Sequence, residues 1–408
     1  MNVKIKTDYR HTVNACYLGY VTQAIINNFA PLLFLTFQRD YGLSLGELSF
    51  LVSLNFGVQL LVDCIAAKYA DRLGYRRCVI LAHICAGGGL IAMAVLPEIC
   101  SVPLLGLILA IVLYAVGGGL IEVLISPIVE ACPSGRKEAA MSLLHSFYCW
   151  GHMGVVLLST LFFALAGIRH WKILAICWSA VPLFNVWYFS KVPIRTLAEN
   201  REGETMTGRQ LIVRGSFWLM ILLMVCAGAS EQSVSQWASA FAESALHVSK
   251  SMGDIAGPCA FACFMGTARV LSAKLSERIS LERIMLGSSF LAVVSYLLIS
   301  LSPYPLLGLF GCALCGFSVA SLWPSTFSLS MKKIPSGGTA MFAFFALAGD
   351  VGCSVGPFLV GSVSGLFQDN LRIGILAAVI FPLLMAGGLI LSSRVRPHVS
   401  ARAGSRDI

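Results

Sequence analysis

Residues 67–77 read AKYADRLGYRR, and about half a chain later residues 273–283 read AKLSERISLER. Ala67 and Ala273, Lys68 and Lys274, Arg72 and Arg278, and Arg77 and Arg283 are identical. Asp71 is matched by Glu277 and Leu73 by Ile279. Each copy of this charged loop joins two long apolar segments. A chain patterned this way reads as one bundle of apolar helices made twice, with any shared site between the copies.

The apolar segments are too many and too long for a water-soluble core. The chain is 57% hydrophobic and 12% charged, with a mean hydropathy of +0.81, where soluble chains carry about 25% charge. A helical membrane span takes about 20 mostly apolar residues. Such stretches fall near 12–38, 44–69, 78–97, 103–131, 138–165, 171–190, 215–242, 252–276, 284–302, 304–331, 338–366 and 371–393. The fold expected is an all-α membrane protein of twelve transmembrane helices in two pseudo-symmetric six-helix bundles. Residues 1–190 would form the first bundle, the charged stretch 191–214 a linker, and residues 215–408 the second bundle with a short tail. The opening MNVKIKTDYR is polar, so no cleavable leader is expected. The repetition reaches past the loop. PSGRKEAAM at 133–141 recurs as PSGGTAM at 335–341, and Gly119 and Pro127 share the spacing of Gly316 and Pro324.

The net charge of +9 raises the possibility of a nucleic-acid partner, but no basic domain exists to carry it. Its placement fits membrane topology instead. With both termini in the cytoplasm, Arg39, Arg169, Lys172, Lys250 and Arg372 lie in outer loops and Arg269 inside a span. All the other Lys and Arg residues then fall on the cytoplasmic side, as the positive-inside rule requires. A multi-pass inner (plasma) membrane protein, monomeric, with the lipid bilayer as its surroundings, is the expectation. The 14 cysteines stand singly within spans and form no CxxC pair. They read as small buried hydrophobes.

Charge inside hydrocarbon is costly, so ionisable residues within spans are the first functional candidates. Asp63, Glu122, His145, His152, Glu231, Arg269 and Asp350 meet that criterion. Glu122 lies about nine residues, ~14 Å, from the end of its helix and so near the midplane. There it could exchange a proton or accept a hydrogen bond from a hydroxylated solute. His145 and His152 are two helical turns apart and share a face with Tyr148. Gln23, Asn27 and Asn28 in the first span and Asn55 and Gln59 in the second supply amide donors and acceptors. Glu231 and Gln232 lie at matching depth in the seventh span. Trp237 and Trp323 could stack on a sugar ring. Amides, histidines and tryptophans at such places serve as helix-packing groups at least as often. Asp63 and Arg269 occupy equivalent places before their loop copies, so Arg269 is expected to pair with Asp350 or, across the halves, with Asp63. No linear spacing of His, Cys or carboxylate supports a metal site, and no cofactor is implied.

The loop motif, in its place between the second and third of twelve spans, resembles the signature of the major facilitator superfamily. Asp71, Arg72, Gly74, Arg76 and Arg77 match that signature, and Ala67 and Tyr69 depart from it. The resemblance implies a secondary transporter that works by alternating access. It also implies that Asp71, with Arg72 and Arg76 beside it, acts at the cytoplasmic gate. Within the superfamily, GGGLIEVLISPIVEACP and SLLHSFYCWG resemble the fourth and fifth helices of the fucose permease group of sugar–proton symporters. Glu122 takes the place of that group's acid, and His145 and Tyr148 the places of its polar side chains. Asn28 stands where the group's first helix has a carboxylate. The resemblance implies a small polar solute, a sugar or polyol, moved together with a proton. Glu122 would carry that proton, with His145 and His152 as relay candidates. Two other readings remain: a drug or lipophile exporter of the same fold, and a transporter-derived membrane sensor. No HExxH, GxSxG or phosphate-binding loop points to an enzyme.

Overall fold

A computed structural model describes residues 8–133, 137–195, 206, 208–276, 278–334 and 338–394. Twelve helices in it are long and apolar enough to cross a membrane. They are α1 (Tyr9–Tyr41), α2 (Leu45–Leu73), α3 (Tyr75–Ile99), α4 (Pro103–Ala131), α5 (Lys137–Ala166) and α6 (Ile168–Lys191) in the first half. The second half has α7 (Gly215–Ser235), α8 (Lys250–Ser272), α9 (Leu281–Leu301), α10 (Pro305–Lys333), α11 (Gly338–Leu366) and α12 (Leu371–Ser393). Some helices outrun the apolar stretch that marks them, as α2 does by continuing to Leu73. Polar turns extend past the hydrocarbon because a helix, once begun, adds residues cooperatively.

The packing repeats with a period of six helices. In the first half α3 lies against α4 and α6, α2 against α4, and α1 against α5. In the second half α9 lies against α10 and α12, α8 against α10, and α7 against α11. Two seams join the halves, α2 with α11 and α5 with α8. Each seam maps onto the other under the same six-helix shift, so the duplication read from the loop governs the whole architecture.

Both helices that lead the halves are broken at mid-depth. α1 runs regularly to Asn28, passes through a tight turn over Ala30–Leu33, and resumes at Phe34. Pro31 supplies the reason: it has no backbone N–H to give the carbonyl of Asn27, four residues earlier. α7 ends its regular run at Ser235, and a second segment, Ala238–Leu246, follows Trp237. α8 carries a single wide turn at Ile255–Cys259, around Pro258.

With twelve alternating spans, both ends of the described chain lie on one face, the terminal face. On the opposite, distal face the halves are held together. Ser53 Oγ donates to Ser354 O at 3.1 Å, and Ser354 Oγ donates to Ser53 O at 3.2 Å. Gln38 Nε2 donates to Asp369 at 3.3 Å, and Thr160 Oγ1 to Asp254 at 3.2 Å. The close approach of α11 to α2 depends on Gly361. A Cβ there would fall 1.5 Å from Ser49 Oγ and 2.6 Å from the Trp237 ring. Replacing Ser53 and Ser354 together by cysteine should therefore yield a cross-link under mild oxidant. Counting free thiols by mass spectrometry should show two fewer per chain. Unchanged thiol numbers would show that the two helices do not meet at this level.

Candidate functional site

The broken turn of α1 creates the centre of the site. The carbonyl of Asn27, left without Pro31 as donor, accepts instead from Gln236 Nε2 of the other half at 3.2 Å. A backbone group freed by a helix break is thus satisfied across the seam between the bundles, where hydrocarbon could not satisfy it. Asn27 also accepts at Oδ1 from Asn55 Nδ2 (3.1 Å) and Gln59 Nε2 (3.0 Å). Gln59 Nε2 donates to Asn55 Oδ1 as well, at 2.9 Å, and its own Oε1 accepts from Gln23 Nε2 at 2.8 Å. Gln236 donates to Gln232 at 3.0 Å, and Gln232 to Glu231 at 3.3 Å. These amides, drawn from α1, α2, α7 and the turn after α7, form one buried network that crosses from half to half. A cavity of about 10 Å³ lies beside it, between Asn27, Asn55, Gln236 and Phe34, about the least space that holds one water.

At one end of the network stand three carboxyls. Gln23 Nε2 reaches Glu122 Oε2 at 3.4 Å. Oxygens of Glu122, Asp63 and Asp350 all lie within 4.8 Å of one another. Asp63 and Glu122 come from the first half, and Asp350 comes from the second. Gly119 permits this gathering, because a Cβ there would meet Asp63 Oδ1 at 2.9 Å and the Gln59 carbonyl at 2.8 Å. Three negative charges this close repel strongly, so the group is held together by protons or by a bound cation. Its oxygens are near enough to one another to hold a metal ion. No linear spacing marks this group, because the three residues are brought together only by packing.

At the other end is a looser pair. Arg269 Nη2 lies 3.9 Å from Glu231 Oε2, beyond hydrogen-bond reach. Its nearer partners are sulfurs, Cys149 Sγ at 3.2 Å and Met265 Sδ at 3.8 Å. Arg269 Nε is buried without a partner. This corrects the expected pairing of Arg269 with Asp350 or Asp63. Equivalent depth in the two halves does not bring side chains into contact, because α2 packs on α11 and α8 packs on α5. Arg269 therefore faces α5 and α7, while Asp63 faces α4 and α11.

The other expected residues divide. Asn28 donates to the Ala24 carbonyl at 2.9 Å and reaches the Tyr148 hydroxyl at 3.5 Å. His152 is buried on α5. Trp237 is wholly buried, donates from Nε1 to the Pro357 carbonyl at 3.1 Å, and packs on Phe34. It thus forms part of the distal closure and presents no open face to a solute. Trp323 lies over Gly349, where a Cβ would come 2.0 Å from its ring. It is therefore one residue from Asp350. Arg76 donates to the carbonyls of Phe189 and Val192, tying the loop to the end of α6. The side chains of Asp71, Arg72 and His145 lie outside the described residues.

Two polar groups escaped the sequence reading. His83 is fully buried, with Nδ1 2.7 Å from the Val79 carbonyl and Nε2 2.9 Å from Asn185 Nδ2. Asn185 also donates to the Ala15 carbonyl, so the group pins α1, α3 and α6 together. Asp254 is buried at the distal end of α8 and accepts from Ser239, Lys250 and, across the seam, Thr160. Lys250 also pairs with Glu243 at 3.2 Å. The i, i+4 spacing of Lys250 and Asp254 was the available signal.

The match to known proteins agrees with this geometry. The family model of the Major Facilitator Superfamily matches residues 16–357. The chain belongs to the major facilitator superfamily. The membrane protein MosC of Rhizobium meliloti is 22% identical over 334 residues, covering 80% of this chain and 77% of that one. Among solved structures, the D-xylose–proton symporter superposes with a TM-score of 0.75 at 13% identity, covering 95% of this chain and 98% of that one. The E. coli fucose:proton symporter gives 0.65 at 14% identity, with 95% and 100% covered. A bacterial homologue of the human lysosomal transporter Spinster, in an inward-facing and occupied conformation, gives 0.73 at 16% identity, with 95% and 97% covered. The fold and family are those of integral membrane transporters and not of enzymes.

Crowding of the three carboxyls makes a stability prediction. Asp63→Asn keeps the shape and removes one charge. It should raise the melting temperature at pH 8 by roughly 2–4 °C, the shift for about 1 kcal/mol in a unit of about 200 residues. At pH 5 the gain should shrink, because protons already neutralise the group. An equal change at both pH values would mean that the carboxyls do not share charge.

Proposed function

We propose that this protein is a secondary active transporter that moves a small polar solute, a sugar or polyol, together with a proton. The observation that carries the reading is the carboxyl group of Asp63, Glu122 and Asp350. It draws oxygens from both halves into one cluster and is continuous with an amide network that also spans both halves. Such a cluster is sensitive to protonation by construction. With protons bound, carboxyls can donate to one another and hold α2, α4 and α11 together. With protons lost, repulsion favours separation of the halves. Glu122 is the proton carrier in this scheme, because it alone of the three is reached by the amide network, through Gln23.

The solute would be met by the amides. Gln23, Asn27, Asn28, Gln232 and Gln236 offer both donors and acceptors, which hydroxyl groups need in both roles. The distal closure described above would be one end state of alternating access, with the solute pathway opening toward the terminal face. That face would be the cytoplasmic one, from the distribution of Lys and Arg. The chain would fall into a first bundle of residues 1–190, a linker 191–214 and a second bundle of residues 215–408. Two neighbours of the same fold are named as proton symporters of D-xylose and fucose, which supports the same class of solute here. An exporter of lipophiles fits less well, because the buried centre is lined by amides and carboxyls.

Reconstituted protein in vesicles tests this. An inwardly directed proton gradient, with the acid side outside the vesicle, should drive accumulation of a radiolabelled sugar or polyol in a panel that includes D-xylose and L-fucose. Glu122→Gln should abolish accumulation driven by the pH step and leave solute exchange at equilibrium intact. If Glu122→Gln accumulates solute as the unmodified protein does, the proton is carried elsewhere.

A further inference from the structure

Arg269 has five N–H donors and too few acceptors. Its guanidinium lies among Glu231, Cys149 and Met265, with no oxygen within hydrogen-bond reach in the described structure. Sulfur is a weak acceptor, and Nε has no partner at all. Yet a quarter of the side chain remains accessible. A structural arginine in a membrane bundle is ordinarily held by carboxylates or carbonyls at about 2.7–2.9 Å. This one has no oxygen partner at that distance. It stands on the seam between the halves, at the end of the same amide network that would meet the solute. The asymmetry of the site is also informative. The three-carboxyl cluster lies at one end of the network and the open guanidinium at the other, so a solute held between them is oriented by charge.

We infer that Arg269 receives a carboxylate of the transported solute, which narrows the small polar solute proposed above to a hydroxylated acid such as a sugar acid. This rests on the reading of the amide network as the solute site. The planar guanidinium can donate two parallel hydrogen bonds to a carboxylate, which a neutral hydroxyl cannot match. The hydroxyls of the solute would fall to the neighbouring amides, Asn28 and Gln232 among them.

Charge balance assigns a role to Glu231. An incoming carboxylate and the Glu231 carboxylate would compete for one guanidinium. The conflict is removed when Glu231 takes up one proton and becomes a neutral carboxylic acid, leaving Arg269 to the solute. Acid anion and proton then bind together with no net charge added at this pair, a local proton uptake separate from the one that Glu122 carries. Among the described residues, the titratable and charged groups that face Glu231 are Arg269 on α8, Tyr148 and Cys149 on α5, Cys315 on α10 and Cys353 on α11. Arg269 is the one cation among them. Tyr20 on α1 lies near Arg269. Release reverses the sequence: the proton leaves Glu231, the pair with Arg269 re-forms, and the solute carboxylate is freed.

Thermal shift of the purified full-length protein, with matched acid and neutral compounds, tests the inference. D-gluconate is set against D-glucose, and D-galacturonate against D-galactose. At pH 6 at least one acid should raise the melting temperature by several degrees while its neutral partner does not. Arg269→Gln should weaken that apparent affinity by about 10- to 100-fold, the loss of one charged hydrogen-bonded contact. Arg269→Lys should keep part of it. Glu231→Gln, a permanently neutral mimic of the protonated acid, should keep acid binding and make it independent of pH between 6 and 8. Should Arg269→Gln fail to fold, the Lys variant and Glu231→Gln decide. Equal shifts from neutral and acid partners, surviving either Arg269 variant, overturn the acid assignment and leave the sugar reading standing. Shifts from neither class in folded protein overturn both.

Discussion

The backbone carbonyl of Asn27 has no donor within its own helix, and most of the centre of this molecule follows from that. Pro31 removes the N–H that would have served it, and hydrocarbon offers no substitute. The donor comes from Gln236 in the other half. A break in α1 is thereby made to depend on α7, and the two bundles cannot separate at this level without exposing an unsatisfied group. The side chain of Asn27 then gathers Asn55 and Gln59, and Gln59 gathers Gln23. Each amide bonds to the next, with Gln23 Oε1 left unpaired, so the network is continuous from Glu122 to Glu231. Polar networks of this kind are costly when half-made and specific when complete. Here completion requires both halves in the distally closed arrangement.

Glycine decides where the charged groups can meet. At Gly119 the absence of Cβ lets α4 press against the backbone of α2, which sets Glu122 beside Asp63. At Gly361 it lets α11 close on Ser49 of α2, and that approach brings Asp350 of the same helix toward the pair. The cluster of three carboxyls is thus a product of helix proximity, and its tolerance of proton loss is tied to whether α2 and α11 remain in contact. In the proposed mechanism, a chemical event at the cluster and a mechanical event along the seam would be two descriptions of one equilibrium. The reciprocal serine bonds at 53 and 354, and the Thr160–Asp254 bond in the companion seam, are neutral or locally balanced. They can break and re-form at modest cost, which suits surfaces that must alternate.

Much of this was legible in the sequence, for definite reasons. The duplicated loop and the twelve apolar stretches fixed the architecture, because span length and repetition leave few other folds for such a chain. Glu122, Asp63, Asp350, Glu231 and Arg269 stood out because charge inside a span is conspicuous against 57% hydrophobic composition. Their partnerships were not legible. Equal depth suggested Asp63 with Arg269, but rotation about the helix axis decides contact, and rotation is set by glycine faces that only the packed bundle displays. His83 was missed because a single histidine in an apolar run resembles a core residue, and its partner Asn185 lies three helices away. A tryptophan in a span serves either as a stacking platform or in packing, and at Trp237 the indole N–H is claimed by the Pro357 carbonyl.

The contrast between the two charged ends of the network bears on how a solute could be told from its relatives. Amides alone discriminate hydroxyl patterns weakly, since each can donate and accept. A guanidinium held by sulfurs is different. Sulfur contacts orient Arg269 without competing for its hydrogen bonds, as oxygen partners would. Cys149 and Met265 therefore keep the charge in place while engaging its donors only weakly. Replacing either sulfur by an oxygen-bearing side chain of similar size would satisfy the guanidinium permanently and so remove its use. On that view the poor pairing of Arg269 is a condition for recognition, and the soft residues around it are what sustain that condition within a membrane.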